Sequence, residues 1–305
     1  MLYNRIMNYE KCTLCPRECG LNRTKGVGLC HAGGKIKAAR AALHFWEEPP
    51  ISGENGSGAI FFCGCQLGCV YCQNKKIAEG KIGFEISPQR LYEIFFELKE
   101  KGAHNINLVT PDCYIPEIIP VIKKAKADGI NLPFICNCSG YEKAEVIRNF
   151  GSVIDIWLPD FKYIYTETAK KYSNAPNYPS IAKSAIDEMV RLCPKPIFEG
   201  DLMKKGVMVR HLVLPEHSQE SKVLLKYLFD KFENSIYYSI MSQYTPVQKC
   251  EYGELNRPLD LDEYNRVVDY AVELGIVNAF IQGDESASES FIPEWNGEGV
   301  VKFNE

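Results

Sequence analysis

Apolar residues fall along this chain in two alternating patterns. The first is the short, mostly apolar run: residues 59–62, 106–109, 133–136, 153–158, 207–214, 237–242 and 279–282 have the length and content of buried strands. The second is helical spacing, clearest in 89–101, where Leu91, Ile94, Phe95 and Leu98 recur on one face. It returns in 115–127, 142–150, 180–192, 218–232 and 261–274. Runs in which apolar residues so outnumber polar ones suit strands covered on both faces. Strand followed by helix, repeated along the chain, predicts an α/β fold with a parallel sheet of right-handed βαβ units. The alternation alone permits either a doubly wound sheet or a barrel.

The flanks of this pattern read differently. The first 50 residues carry Cys12, Cys15, Cys19 and Cys30 among glycines and prolines, a C-x2-C-x3-C-x10-C spacing. So short a segment has little apolar core of its own, and a metal would organise it. Zinc and a second iron-sulfur cluster both fit that spacing. Residues 48–58, rich in Pro, Gly and Ser, read as a linker, and 283–305 as a polar tail over one end of the sheet. The expected organisation is a Cys-rich metal-binding lobe at 1–50, the main domain at 51–285 and a C-terminal tail at 286–305.

Composition narrows the class. With 305 residues, 46% hydrophobic and 24% charged, the chain has the make-up of a globular protein that buries a core. A formal charge of −4 offers no electrostatic footprint for nucleic acid. No apolar stretch approaches a membrane span, and the first residues lack the apolar core of a signal peptide, so a cytoplasmic location is expected. Thirteen cysteines in such a chain point to metal rather than disulfides, because eight of them precede residue 73. The other five, Cys113, Cys136, Cys138, Cys193 and Cys250, are scattered and read as buried core thiols. His44 and His211 are candidate acid-base groups, though a lone histidine is more often structural.

The strongest chemical signal is Cys65-x-x-x-Cys69-x-x-Cys72, directly after the apolar run 58–62. Three thiolates at this spacing hold three corners of a cubane [4Fe-4S] cluster and leave one iron open to a ligand. A zinc site is the alternative, and would make the chain a metal-stabilised binding protein without catalysis. Zinc ligands, however, usually come in paired knuckles, and here only three are at hand.

The segment Phe62-Cys63-Gly64-Cys65-Gln66-Leu67-Gly68-Cys69-Val70-Tyr71-Cys72-Gln73-Asn74 resembles the signature of the radical S-adenosylmethionine (SAM) superfamily. The resemblance implies a partial (βα)6 barrel. It also implies SAM bound by its methionine part at the open iron of a [4Fe-4S] cluster. An electron from that cluster would then release a 5'-deoxyadenosyl radical for hydrogen abstraction. In such proteins the aromatic residue before the last cysteine, here Tyr71, lies by the adenine.

Polar residues cluster where later strands finish, which is where α/β folds bind ligands. Thr110, Asn137, Ser139, Asp160, Lys162 and Arg210 have the groups that an ammonium, a carboxylate and a ribose would need. Taken singly, each has an ordinary reading as turn chemistry, a helix cap or a surface ion pair.

Several stretches are similar to the subgroup related to the pyruvate formate-lyase activating enzyme: the Cys-rich lobe, 44–53, 71–74, 159–163 and 210–215. In the activases an Asp-x-Lys pair contacts SAM, and Asp160-x-Lys162 matches it. That resemblance implies a flavodoxin or ferredoxin as electron donor and a glycyl radical enzyme as protein substrate. Modification of another protein, an RNA or a small molecule is the alternative, with RNA disfavoured by the acidic balance.

Overall fold

The computed structural model describes residues 8–282 and 293–302. Its strands are β1 (Lys37–His44), β2 (Ser57–Phe62), β3 (Phe84–Glu85), β4 (Ile106–Val109), β5 (Phe134–Cys138), β6 (Ile156–Pro159), β7 (Ile197–Glu199), β8 (Leu202–Leu212), β9 (Tyr237–Met241) and β10 (Ala279–Ile281). They join in the order β10-β9-β8-β6-β5-β4-β2-β1-β3, with β7 attached to β8. From β2 to β10 every neighbour along this path is parallel. This is the α/β architecture with a parallel sheet that the alternating pattern leads one to expect, with the helices between the strands.

Period-two alternation divides each strand between two surroundings. Phe134, Cys136, Trp157, Val207 and Val209 lie in the main core with helix residues such as Leu91, Ile94, Ile118 and Ile147. Their sequence neighbours Ile135, Ile156, Leu158 and Met208 form a separate cluster with Ile51 on the other, inner face. Parallel register then lines up the strand ends: Phe61 opposite Val109, Val109 opposite Asn137, and an isolated bridge between Asp160 and Arg210. Inner-face residues near those ends therefore share one space.

The helix termini are chemically specified. Pro88–Glu100 is capped by Ser87, whose hydroxyl accepts from the Arg90 N–H at 3.0 Å, with Pro at the first helical position. Leu261–Glu273 is capped by the Asp260 carboxylate, which accepts from Asp262 and Glu263 N–H groups. Among the described residues, no helix is long and apolar enough to cross a membrane.

One expectation changes, and two elements appear that the apolar pattern did not mark. Residues 37–44 (Lys-Ala-Ala-Arg-Ala-Ala-Leu-His) have a helix-favouring composition, yet they form β1, paired antiparallel to β2. The open edge of β2 supplies backbone partners that outweigh the preference of alanine. The stretch expected to be a linker holds a helical turn, Pro49–Ser52, with Pro50, Ile51 and Ser52 buried. Ile51 thus fills the inner face, and the Glu47–Glu48 pair is carried to the strand ends. Thr166–Ser173 is a further helix, too short and polar to stand out by periodicity, ending at Asn174 in a left-handed conformation. The described part of the tail runs along β1: Trp295 packs edge-on to Phe61, and Ala41 N–H donates to Glu298 O at 2.8 Å. Residues 286–292 and 303–305 of that tail lie outside the described residues.

Candidate active site

Beyond β2 the chain turns through Cys63 and Gly64 into the cysteine loop. Gly64 has φ +89°, and a Cβ there would come within 2.8 Å of the Cys30 carbonyl, so only glycine lets the N-terminal segment approach this closely. The same carbonyl accepts from the Cys65 N–H at 2.9 Å. Arg17 ties the loop further: its guanidinium donates to Gln66 O at 3.0 Å and to Leu67 O and Ser173 O at 2.9 Å. The N-terminal segment is thereby a direct support of the loop.

Cys65, Cys69 and Cys72 line one cavity of about 660 Å³. Tyr71, Thr110, Asn137, Ser139, Asp160, Lys162 and Arg210 line the same cavity, so every residue picked out at a strand end converges there. Cys63 does not: it points into a second apolar cluster, its thiol donating to Ile82 O.

The charged groups are tightly ordered. Arg210 donates to Asp160 Oδ1 at 2.9 Å, to Glu47 Oε2 at 3.3 Å and to Asn137 Oδ1 at 2.6 Å. Lys162 Nζ donates to Asp160 Oδ2 at 2.6 Å. Glu47 Oε1 also accepts from Asn107 and Asn137 side-chain amides, at 3.1 and 3.2 Å. Two carboxylates thus face two cations. Burial opposes ionisation of Asp160, but Arg210 and Lys162 outweigh it and hold its carboxyl below the usual range. For Glu47 burial prevails over Arg210, so its carboxyl sits above the usual range. The Gly140 turn shapes the same corner, since a Cβ at its φ of +75° would meet Asp160 O at 2.2 Å.

Thr110 has φ +56°, a strained conformation for a β-branched residue, and is held by its N–H donating to Asn137 O at 2.8 Å. Tyr71 stands among Tyr163, Tyr172 and Tyr244, with ring centroids 6.0–6.5 Å away. Tyr163 donates to the Tyr71 hydroxyl at 2.8 Å and meets Ser173 Oγ, which in turn donates to Cys69 Sγ at 3.2 Å.

The thiols fit a metal cluster. Burial and the neighbouring sulfurs push Cys65 up to about 12 and Cys72 up to about 11, a mutual repulsion of thiolates that a cationic centre would relieve. Sulfur acceptors are already served by Ser173 and by the Leu67 N–H, which reaches Cys65 Sγ at 3.4 Å. A cavity of this volume, walled by sulfur, aromatic rings and paired charges, also has room for a cofactor of nucleoside size.

The N-terminal cysteines gather around Cys15, which burial and the nearby Cys30, Cys12 and Cys19 push up to about 11. Cys30 has a further partner, the thiol of Cys113, and with Arg23 close by its own value falls to about 6. Of the two histidines, His211 is structural, bonded to Phe161 O and Ser221 Oγ, whereas His44 lines the cavity. Glu47 was the main residue not singled out in advance. Its sequence signals are the acidic pair ahead of Pro49-Pro50-Ile51 and its place in the stretch 44–53 that resembles the activase-related subgroup.

Comparison with known proteins agrees with this geometry. A sequence model of the radical SAM superfamily matches residues 59–225. An uncharacterised protein of Methanocaldococcus jannaschii is 27% identical over 274 residues, covering 86% of this chain and 75% of its own. Among solved structures, the chain resembles a radical SAM methyltransferase from Sphaerobacter thermophilus: 13% identity, TM-score 0.50, 76% of this chain and 69% of that one. It also resembles HydG, a maturase of the [FeFe]-hydrogenase: 13% identity, TM-score 0.51, 71% of this chain and 49% of that one. At such identities the structural likeness establishes the fold alone.

Proposed function

The chain belongs to the radical SAM superfamily, and from that premise we propose an enzyme whose Cys65, Cys69 and Cys72 hold a [4Fe-4S] cluster beside SAM. The observation that carries this reading is the convergence of those three thiols with Tyr71, Thr110, Asn137, Ser139, Asp160, Lys162 and Arg210 on one cavity. When bound, the cluster and SAM supply a 5'-deoxyadenosyl radical that abstracts a hydrogen atom from the substrate.

The roles of the protein's own residues follow from charge and position. Asp160, fully ionised between Arg210 and Lys162, offers a fixed anion to an ammonium, and the two cations bracket a carboxylate. Asn137 and Ser139 present hydrogen-bonding groups at the end of β5, where a ribose can be held. Tyr71 supplies an aromatic surface kept in place by its three tyrosine neighbours. The buried walls exclude water from a reactive intermediate. A flavodoxin or ferredoxin is the expected reductant.

The finer reading is activation of a glycyl radical enzyme, with hydrogen taken from a glycine Cα of that partner. Asp160-x-Lys162, paired at 2.6 Å at the end of β6, matches the pair that marks such activases and supports this reading. In the N-terminal segment, Cys12, Cys15, Cys19 and Cys30 hold zinc or a second cluster that stiffens the support beneath the cysteine loop.

The test is anaerobic reconstitution with iron and sulfide, then dithionite and SAM, with chromatography for 5'-deoxyadenosine. Its formation in the wild type and absence in Cys69→Ala is the expected result. Bound zinc, no visible absorbance and no SAM cleavage would leave a metal-stabilised binding protein. For the finer reading, a glycyl radical signal in the paramagnetic resonance spectrum of a co-incubated partner is required.

A further inference from the structure

β5 carries two cysteines without a role in the proposed chemistry, of which Cys138 also touches the cavity wall. Asn137 faces the inner side and bonds Arg210 and Glu47, so Cys136 and Cys138, one residue to either side, face the opposite way into the main core. The neighbouring strand β4 runs past them in register, Leu108 opposite Cys136. Its continuation then folds into a 3-10 turn, Asp112–Tyr114, which brings Asp112 back over the two thiols. One carboxylate oxygen of Asp112 and the sulfurs of Cys136 and Cys138 all lie within 4.8 Å of one another.

These groups are deeply buried: Asp112 is 3% exposed, Cys136 0%, Cys138 3% and Glu142 2%. Neither carboxylate oxygen of Asp112 has a hydrogen-bond partner among the described residues, and Glu142 Oε2 also lacks one. Glu142 Oε1, by contrast, is anchored by Gln66 at 3.0 Å and Ser139 at 3.1 Å, which aims its free oxygen. The charged neighbours acting on Asp112 are Glu142 and Cys30, both of its own sign. A buried carboxylate without a side-chain donor and with only acidic neighbours is costly in its charged form unless a proton or a cation joins it, and two thiols beside it favour a metal cation.

We propose that Asp112, Cys136 and Cys138, with Glu142 as the fourth ligand, form a metal site for zinc or a similar divalent cation on the helix-covered side of the sheet. Two thiolates and two carboxylate oxygens are a donor set that zinc accepts in tetrahedral geometry. A tetrahedron with Zn–S near 2.3 Å has sulfurs roughly 3.8 Å apart, so the observed spacing closes by side-chain rotation. Binding releases the two thiol protons and leaves no oxidation state changed. The site is distinct from the three thiols of the cysteine loop but adjoins that loop, since Gln66 donates to Glu142 Oε1 at 3.0 Å and Cys138 also touches the cavity wall. It is also distinct from the N-terminal cysteines, although the Cys30–Cys113 contact makes the two regions neighbours. The metal would pin together the ends of β4 and β5, which carry Thr110, Asn137 and Ser139 into the cavity.

The experiment is metal analysis of the full-length protein, purified anaerobically from zinc-supplemented cells, beside Asp112→Asn and Cys136→Ser/Cys138→Ser. The wild type should hold one zinc that both variants lose, with cluster iron unchanged, and that zinc should persist in Cys12→Ser/Cys15→Ser. Cobalt(II) added to chelator-treated wild type should give a thiolate charge-transfer band that the double variant lacks. Asp112→Asn guards against misfolding, because without metal it removes an unpaired buried charge. Its melting temperature should therefore be indifferent to chelator while that of the wild type falls. Zinc affinity in Asp112→Asn should drop by more than about 100-fold, beyond what loss of an outer-sphere partner produces. Equal zinc and equal cobalt spectra in wild type and both variants, or zinc lost only with Cys12 and Cys15, would overturn the proposal.

Discussion

Replacing Asp160 by Asn keeps the shape of the charged corner and removes one charge. In the wild type, Asp160 is bonded by Lys162 at 2.6 Å and Arg210 at 2.9 Å, and its side chain is 16% exposed. Removing one member of a buried ion pair costs about 3–5 kcal/mol, because the partner stays buried without an anion. Arg210 retains Glu47 at 3.3 Å, so only Lys162 is stranded, which places the loss near the lower bound, about 3 kcal/mol. The charged corner also loses one negative charge where it faces a sulfonium cofactor. Loss of one charge-assisted contact, about 1.5–3 kcal/mol, corresponds to a SAM Kd raised roughly 10- to 150-fold. The assays are denaturant unfolding of the apoprotein and calorimetric SAM titration of the reconstituted enzyme, with iron content expected to be unchanged. The destabilisation also has a defined pH profile. Because the folded carboxyl is held below its ordinary value, its stabilisation is complete above the unfolded Asp value near 4 and disappears as pH falls through the folded one. The gap between variant and wild type should thus be constant from pH 8 to about 5 and close only in stronger acid. Wild-type stability together with wild-type SAM affinity in Asp160→Asn would refute the assigned role.

Other outcomes follow from the same geometry. Cys69→Ala should leave a folded apoprotein that cannot assemble the cluster, seen as loss of visible absorbance with unchanged circular dichroism. Ser173→Ala removes the hydroxyl that donates to Cys69 Sγ; the cluster potential should become more negative by up to roughly 60 mV, read by redox titration. Arg17→Ala removes the guanidinium that holds Gln66, Leu67 and Ser173 carbonyls, so hydrogen exchange in 64–72 should rise by more than about tenfold. Glu48 is buried with one oxygen unpartnered; burial, with Glu47 adding to it, raises its carboxyl against the pull of Arg210. Wild-type stability should then decline as pH climbs above the unfolded Glu value near 4.3, and Glu48→Gln should gain over it with rising pH. A Glu48→Gln melting temperature that tracks the wild type from pH 5 to about 8 would count against this.

Much of the site was legible because its residues are local. Cys65, Cys69 and Cys72 lie within one loop, and a motif of that kind needs no knowledge of distant contacts. Asp160 and Lys162 are likewise two residues apart, Thr110, Asn137 and Ser139 follow apolar runs, and Arg210 lies within the C-terminal half of its strand. Since parallel strands end on one side of the sheet, position in the run was enough to bring them together. Glu47 was not legible, because its place depends on Ile51 seating against Ile135, Leu158 and Met208 from three different strands. The same limit hid β1, an alanine-rich segment that becomes a strand only because the edge of β2 is open to it.

The sequence by itself determined the alternation of strand and helix, the three-cysteine loop and the residues at the strand ends, because spacing along the chain decides periodicity and chelation. Only the tertiary structure decided which face each residue takes. Asn137 meets Arg210 in the cavity while the Cys136 and Cys138 sulfurs gather with Asp112, although all three lie within one apolar strand. A strand buried on both sides has no polar face to mark inside from outside. Which of its residues meet a cofactor and which meet a buried carboxylate is therefore settled by what packs against each side.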